Sequence, residues 1–158
     1  MRQLGTGSAL ATSGPTVGGV PTAAALLGGA GAIPFVGLAL ASFLPGMPGI
    51  LAVGAVFAYG VAILSFLGGV HWGVALTRGE PGYAVLGAGV VPSLAAWAAF
   101  LVGGRLGMWL LAAGLAAMLA YDLRQTKAGA LPGWYPRLRC PLTLAAAGSL
   151  LLASANAV

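Results

Sequence analysis

Apolar residues fill this chain in long stretches, without the two-residue alternation of a half-buried strand or the single stripe of a water-facing helix. Each stretch approaches the roughly 20 residues that a helix, rising about 1.5 Å per residue, needs to cross a bilayer's hydrocarbon. The first runs from Thr22 to Leu44 and ends at Pro45-Gly46-Met47-Pro48-Gly49, where prolines and glycines stop one helix and start another. The second, Ile50 to Thr77, is broken by Arg78-Gly79-Glu80-Pro81-Gly82. The third covers Tyr83 to Val102, contains Pro92, and gives way to Gly103-Gly104-Arg105. The fourth, Leu106 to Tyr121, is short and should set Arg105 and Asp122 at the two membrane interfaces. After a more polar loop from Tyr121 to Cys140, the fifth runs from Leu142 to Ala157. This pattern predicts an all-α integral membrane helical bundle of about five transmembrane helices, formed by residues 22–158 as a single domain. Residues 1–21, rich in Gly, Ser, Thr and Pro, read as a flexible or interfacial N-terminal arm, retained because the compact apolar run of a secretory signal is missing.

Composition agrees. Charged residues are 6% of the 158, against about 25% in an ordinary soluble domain, and hydrophobic residues are 59% before the 27 glycines are counted. So few charges cannot clothe a water-facing surface, and lipid becomes the solvent. The net charge of +5 arises from Lys and Arg scattered at the ends of apolar stretches, not from the basic face that nucleic acid requires, so no nucleic-acid partner is expected. A lone cysteine, Cys140, excludes an internal disulfide.

With five spans, Arg2, Arg78, Arg124, Lys127, Arg137 and Arg139 fall on one side and Arg105 on the other. The positive-inside rule then predicts an N-terminus that is cytoplasmic, or matrix-facing in an organelle, and an external C-terminus; a bacterial inner (cytoplasmic) membrane is the expected location.

Two segments carry a family resemblance: Ile63-Leu64-Ser65-Phe66-Leu67-Gly68-Gly69-Val70-His71-Trp72-Gly73, and Trp134-Tyr135-Pro136-Arg137-Leu138-Arg139-Cys140-Pro141-Leu142-Thr143. Together with Ile33-Pro34-Phe35 and Val91-Pro92-Ser93-Leu94-Ala95-Ala96-Trp97, they resemble the transmembrane-protein-69-like family of bacterial and mitochondrial membrane proteins over about residues 22 to 150. The resemblance implies a multi-pass membrane protein. It implies no activity, because the family is a domain of unknown function without assigned catalytic or binding residues.

His71 is the sole histidine, about 10 Å inside the Arg78 end of its helix. An ionisable group at that depth is a functional candidate, with Trp72 beside it as a possible ligand contact; it is equally readable as a neutral imidazole bonded to a neighbouring helix. Ser65, Gly69 and Gly73 recur every four residues and form a small-residue stripe suited to helix packing, within the chain or between chains. His71 points away from that stripe, alongside Gly60, Leu64, Leu67 and Gly68, so the second helix has two faces poor in bulk and is expected to sit centrally in the bundle. Glu80, Asp122 and Cys140 share its side of the membrane, yet each lies at an expected helix end, and topology alone explains the grouping. No catalytic set and no metal site can be assembled from one His, one Asp and one Glu, and no cofactor is expected. Trp134 and Tyr135 beside Arg137 and Arg139 combine interfacial aromatics with phosphate-seeking cations, a contact for membrane lipid or a partner protein.

Two functional expectations follow. The first is a non-enzymatic accessory, assembly or scaffold subunit of a larger membrane complex, for example respiratory or photosynthetic, with a protein partner or a second copy of the chain. The alternative is a carrier or binding module for a lipophilic ligand such as a quinone or lipid, its polar head near His71.

Overall fold

A computed structural model describes residues 19–79 and 82–157. Most of the N-terminal arm and Glu80 therefore lie outside the described residues. Five helices follow in order: α1 (Thr22–Ala41), α2 (Met47–Arg78), α3 (Tyr83–Val102), α4 (Gly104–Lys127) and α5 (Tyr135–Ala153), with a 3-10 turn over Ser154–Asn156. All five are long and apolar enough to cross a membrane. The expected all-α, five-span architecture is present.

The turns follow residue chemistry. Gly79 caps α2 with φ 66°, a left-handed conformation that an L side chain resists. Gly103, with φ 67°, is the single residue between α3 and α4 and reverses the chain there. Pro34 and Pro92 lie inside helices that continue through them. The Tyr59 hydroxyl donates to the Gly31 carbonyl at 2.9 Å, joining α2 to the α1 turn that precedes Pro34.

Among the described residues α2 alone touches all four other helices, so it occupies the centre of the bundle, as its two faces poor in bulk predict. Its inner face carries Val56, Gly60, Leu64, Leu67, Gly68 and His71, all buried. The core against it consists of Phe35, Ala96, Met108, Leu111, Leu115 and Leu150. Large side chains such as Leu27, Ile33, Phe66, Leu94 and Leu144 point outward, the distribution a lipid solvent favours.

Most boundaries lie within a few residues of the expected ones, but two depart by more than a turn, and both matter. Helix α4 continues past Tyr121 to Lys127, and α5 starts at Tyr135, before the apolar run begins at Leu142. Polar side chains do not prevent helix formation, because the backbone closes its own hydrogen bonds whatever the side chains are. In consequence Asp122 and Arg139, expected at interfaces or in a loop, lie within helices at 1% and 5% exposure.

The small-residue stripe also needs correction. A Cβ added at Gly69 or Gly73 would meet nothing within 4 Å, so neither makes a close helix contact within the chain, and Ser65 is half-buried. The close approach is made about 100° round the helix from that stripe. A Cβ at Gly68 would collide with the Gly89 carbonyl of α3, and one at Gly89 with the Trp72 ring. Helices α2 and α3 therefore cross on Gly68 and Gly89, the small-residue packing that brings backbones together in lipid.

Candidate functional site

Three buried ionisable side chains from three helices meet at the cation-rich end of the bundle. His71 lies about 10 Å from the Arg78 end of α2, Asp122 about 8 Å from the Lys127 end of α4, and Arg139 about 6 Å from the start of α5. The Asp122 carboxylate is the hub. Its Oδ1 lies 2.7 Å from His71 Nε2, and its Oδ2 accepts from Arg139 Nε at 2.7 Å. An ionised carboxylate has no proton to give, so His71 Nε2 carries the hydrogen of the first bond. Nδ1 is then the ring nitrogen left for a second proton. The Tyr121 ring packs edge-on to the imidazole, with centroids 4.7 Å apart.

Burial of these three groups is tolerable because they pair; an isolated charge at this depth would be expelled or neutralised. Yet the pairing is incomplete. Arg139 Nη2 and Thr143 Oγ1 are buried side-chain atoms with no hydrogen-bond partner. They sit one turn apart on the same face of α5, since residues i and i+4 of a helix are neighbours. Buried donors are paired in most native proteins, and each orphan calls for an explanation.

The space beside them supplies one. Arg139 and Thr143 line a cavity of about 250 Å³ between α1, α2 and α5, floored by Leu115 of α4. The rest of its wall is apolar, with Leu27, Gly31, Phe35, Phe66 and Ala146 among the lining residues. Leu27 and Phe66 are also among the most exposed large side chains, so the cavity opens sideways between α1 and α2 toward lipid. Its polar end is the Arg139–Thr143 pair, itself tied through Asp122 to His71. An apolar chamber with a few convergent polar groups is the usual form of a small-molecule site.

His71 and Trp72, expected to share a ligand head, are separated. His71 turns inward to Asp122, whereas Trp72 lies over Gly89 and its indole N–H donates to the Leu86 carbonyl at 2.8 Å. Trp72 serves the α2–α3 crossing. Arg139, expected to reach lipid headgroups or a partner, is instead internal. Of the same segment, Arg137 is exposed, while Trp134 and Tyr135 are half-buried with their rings edge to face, 5.9 Å between centroids. Of the two cations near it in sequence, Arg124 and Arg139, it is Arg139 that Asp122 offsets, inside the bundle. Among the described residues His71 is thus one of three buried charge-bearing side chains within the helices, with Asp122 and Arg139. No group of three or more His, Cys, Asp or Glu side chains gathers among the described residues.

Sequence reasoning missed Thr143 altogether. Its signal was present: a hydroxyl one turn beyond Arg139, at the start of an apolar run.

The remaining polar contacts fasten the ends. Arg78 donates to the Gly129 carbonyl at 2.8 Å, pinning α2 to the α4–α5 loop. At the opposite end, Arg105 Nε donates to the Ser154 carbonyl at 3.1 Å and the Trp109 indole N–H to Ser154 Oγ at 2.9 Å. A cation there also faces the negative pole of α5.

Residues 20–155 match a family model described as protein of unknown function (DUF3429). The chain is 38% identical to transmembrane protein 69 of Xenopus tropicalis over 136 residues, 83% of this chain and 53% of that protein. It is 33% identical to transmembrane protein 69 of Mus musculus over 92 residues, 56% of this chain and 38% of that protein. The chain thus spans about half the length, or less, of these relatives. No solved structure matches it.

Proposed function

The chain belongs to the DUF3429 family of transmembrane-protein-69-like membrane proteins, and from that premise we propose that it is a binding module for a lipophilic ligand. The single observation that carries this reading is the cavity beside α5, apolar over most of its wall and lined at one end by Arg139 and Thr143, whose Nη2 and Oγ1 atoms are buried without partners. A ligand with an acceptor oxygen on an apolar body complements both parts, entering from lipid between Leu27 and Phe66. The head then lies at Arg139 and Thr143, with His71 behind Asp122 and Trp72 outside the site. Lipid extracts of the protein, purified gently from native membranes, test the reading. A compound retained by the native chain and lost from Thr143→Val and Ala32→Phe variants supports it. Equal extracts from all three would remove its basis.

A second reading, an accessory or assembly subunit of a larger membrane complex, is favoured by one observation. Gly69 and Gly73 are exposed with open space before them, a surface that a partner helix or a second copy of the chain can approach closely. Native-size measurement after mild extraction tests it: a lone chain at every detergent strength counts against a partner.

The site's end of the bundle carries Arg78, Arg124, Lys127 and Arg137, and the proposed orientation has this end facing the cytoplasm of a bacterial inner membrane. Trp134, Tyr135 and Arg137 would then meet the headgroups of the inner leaflet.

A further inference from the structure

The cavity's charge balance narrows the ligand class. Asp122 and Arg139 cancel, so with a neutral imidazole at His71 the three-residue network carries no net charge. Arg139 nevertheless uses only Nε on Asp122; its Nη2 and the Thr143 hydroxyl are buried without partners, and both residues lie in the cavity wall, where a small side-chain rotation brings either donor to a ligand. Two donors, one of them cationic, match the two oxygens of a carboxylate, since charge-assisted bonds from guanidinium to carboxylate are the strong ones. Among the described residues, the surrounding end holds four exposed cations and no acid except Asp122, which is already engaged; with Glu80 counted from the sequence this end is still net cationic, and such a field draws anions toward it.

An anion placed against Arg139 leaves the buried network one charge negative, a state that low dielectric disfavours. The structure contains the remedy. His71 reaches Asp122 Oδ1 at 2.7 Å on the side away from Arg139, and a second proton at Nδ1 makes it an imidazolium held by that carboxylate. The other groups facing His71 are consistent with this. From α4 they are Asp122 and the Tyr121 ring, from α5 Arg139 through Asp122, and α1 and α3 bring no charged side chain to it. A volume of about 250 Å³ is at the small end for ligand sites and suits one acyl chain better than the two of a phospholipid.

Resting on the binding-module reading, we infer that the ligand is a single-chain amphipathic carboxylate, a free fatty acid in chemical class, bound with uptake of one proton at His71. The reaction is balanced as it stands: the anion enters, a proton from water joins Nδ1, and no bond in the ligand changes.

The test uses the full chain in lipid nanodiscs, with empty nanodiscs as reference and three probes: oleate, hexadecanesulfonate, whose charge is fixed, and methyl oleate, which is neutral. Expected are binding of both anions at one mutually exclusive site and uptake of about one proton per hexadecanesulfonate bound, read with an indicator dye in weak buffer. His71→Gln should abolish that uptake and weaken the anions about tenfold or more while the chain stays folded. Thr143→Val should weaken the anions and leave the uptake per bound anion intact. Methyl oleate binding as tightly as the anions, or anions binding with no proton taken up, overturns the inference while leaving the binding module standing. If none of the probes binds above empty nanodiscs, and no native ligand co-purifies, both fall together.

Discussion

Asp122 and Arg139 are joined at 2.7 Å through Oδ2 and Nε inside the bundle, and the bond leaves Nη2 of the guanidinium unpartnered in the wall of a cavity that Arg139 lines. The pair belongs to two helices whose polar ends would ordinarily sit in water. It is the point at which fold and candidate chemistry depend on one another.

Removing Asp122 strands a buried guanidinium. Asp122→Ala should destabilise the bundle by about 3–5 kcal/mol, the usual consequence of breaking a buried pair from one side. Unfolding in mixed detergent, followed by tryptophan fluorescence, measures it. Asp122→Leu combined with Arg139→Met should recover most of that loss, because neither charge then remains unpaired.

Thr143 should behave in the opposite way. Its hydroxyl is buried and unpartnered in the ligand-free chain, so Thr143→Val relieves an unsatisfied group, and stability should be unchanged or raised by about 1 kcal/mol. A thermal melt in detergent checks this, and a clear loss of stability would show that the hydroxyl already has a partner.

The glycines of α2 should divide by face. Gly68→Ala drives a methyl into the Gly89 carbonyl and should cost about 1–3 kcal/mol through overpacking of the α2–α3 crossing. Gly69→Ala and Gly73→Ala meet open space and should leave the isolated chain as stable or up to about 1 kcal/mol more so, by helix propensity. If those two variants instead break a complex seen on native gels, the exposed face is a partner surface.

Orientation has its own check. In a Cys140→Ala background, single cysteines at Arg137 and at Ala155 should react with a membrane-impermeant maleimide from opposite sides, position 137 only after the cells are opened. Labelling of position 137 in intact cells would reverse the proposed topology.

Much of the fold was legible in the apolar pattern. The Tyr83–Val102 helix, the turns at Gly79 and Gly103, and the central place of α2 were readable because lipid forces backbone hydrogen bonds inside each span, and apolar length then reports the span directly. The site was less legible. Asp122 and Arg139 read as interfacial because polar residues usually mark helix ends, but α4 and α5 each extend beyond their apolar runs and carry these side chains inward. Trp72 read as His71's companion because they are adjacent in sequence, although neighbours on a helix diverge by about 100° and these two serve different contacts.

The sequence alone therefore determined the solvent, the number of spans and the gathering of cations at one end, because each depends on side-chain type counted along one dimension. Only the tertiary structure decided that His71, Asp122 and Arg139 meet, and that Gly68 rather than Gly69 carries a helix crossing. It also decided that Arg139 and Thr143 face an open cavity. Those outcomes depend on the rotation of each helix about its axis, which packing between helices sets and a span's own composition does not.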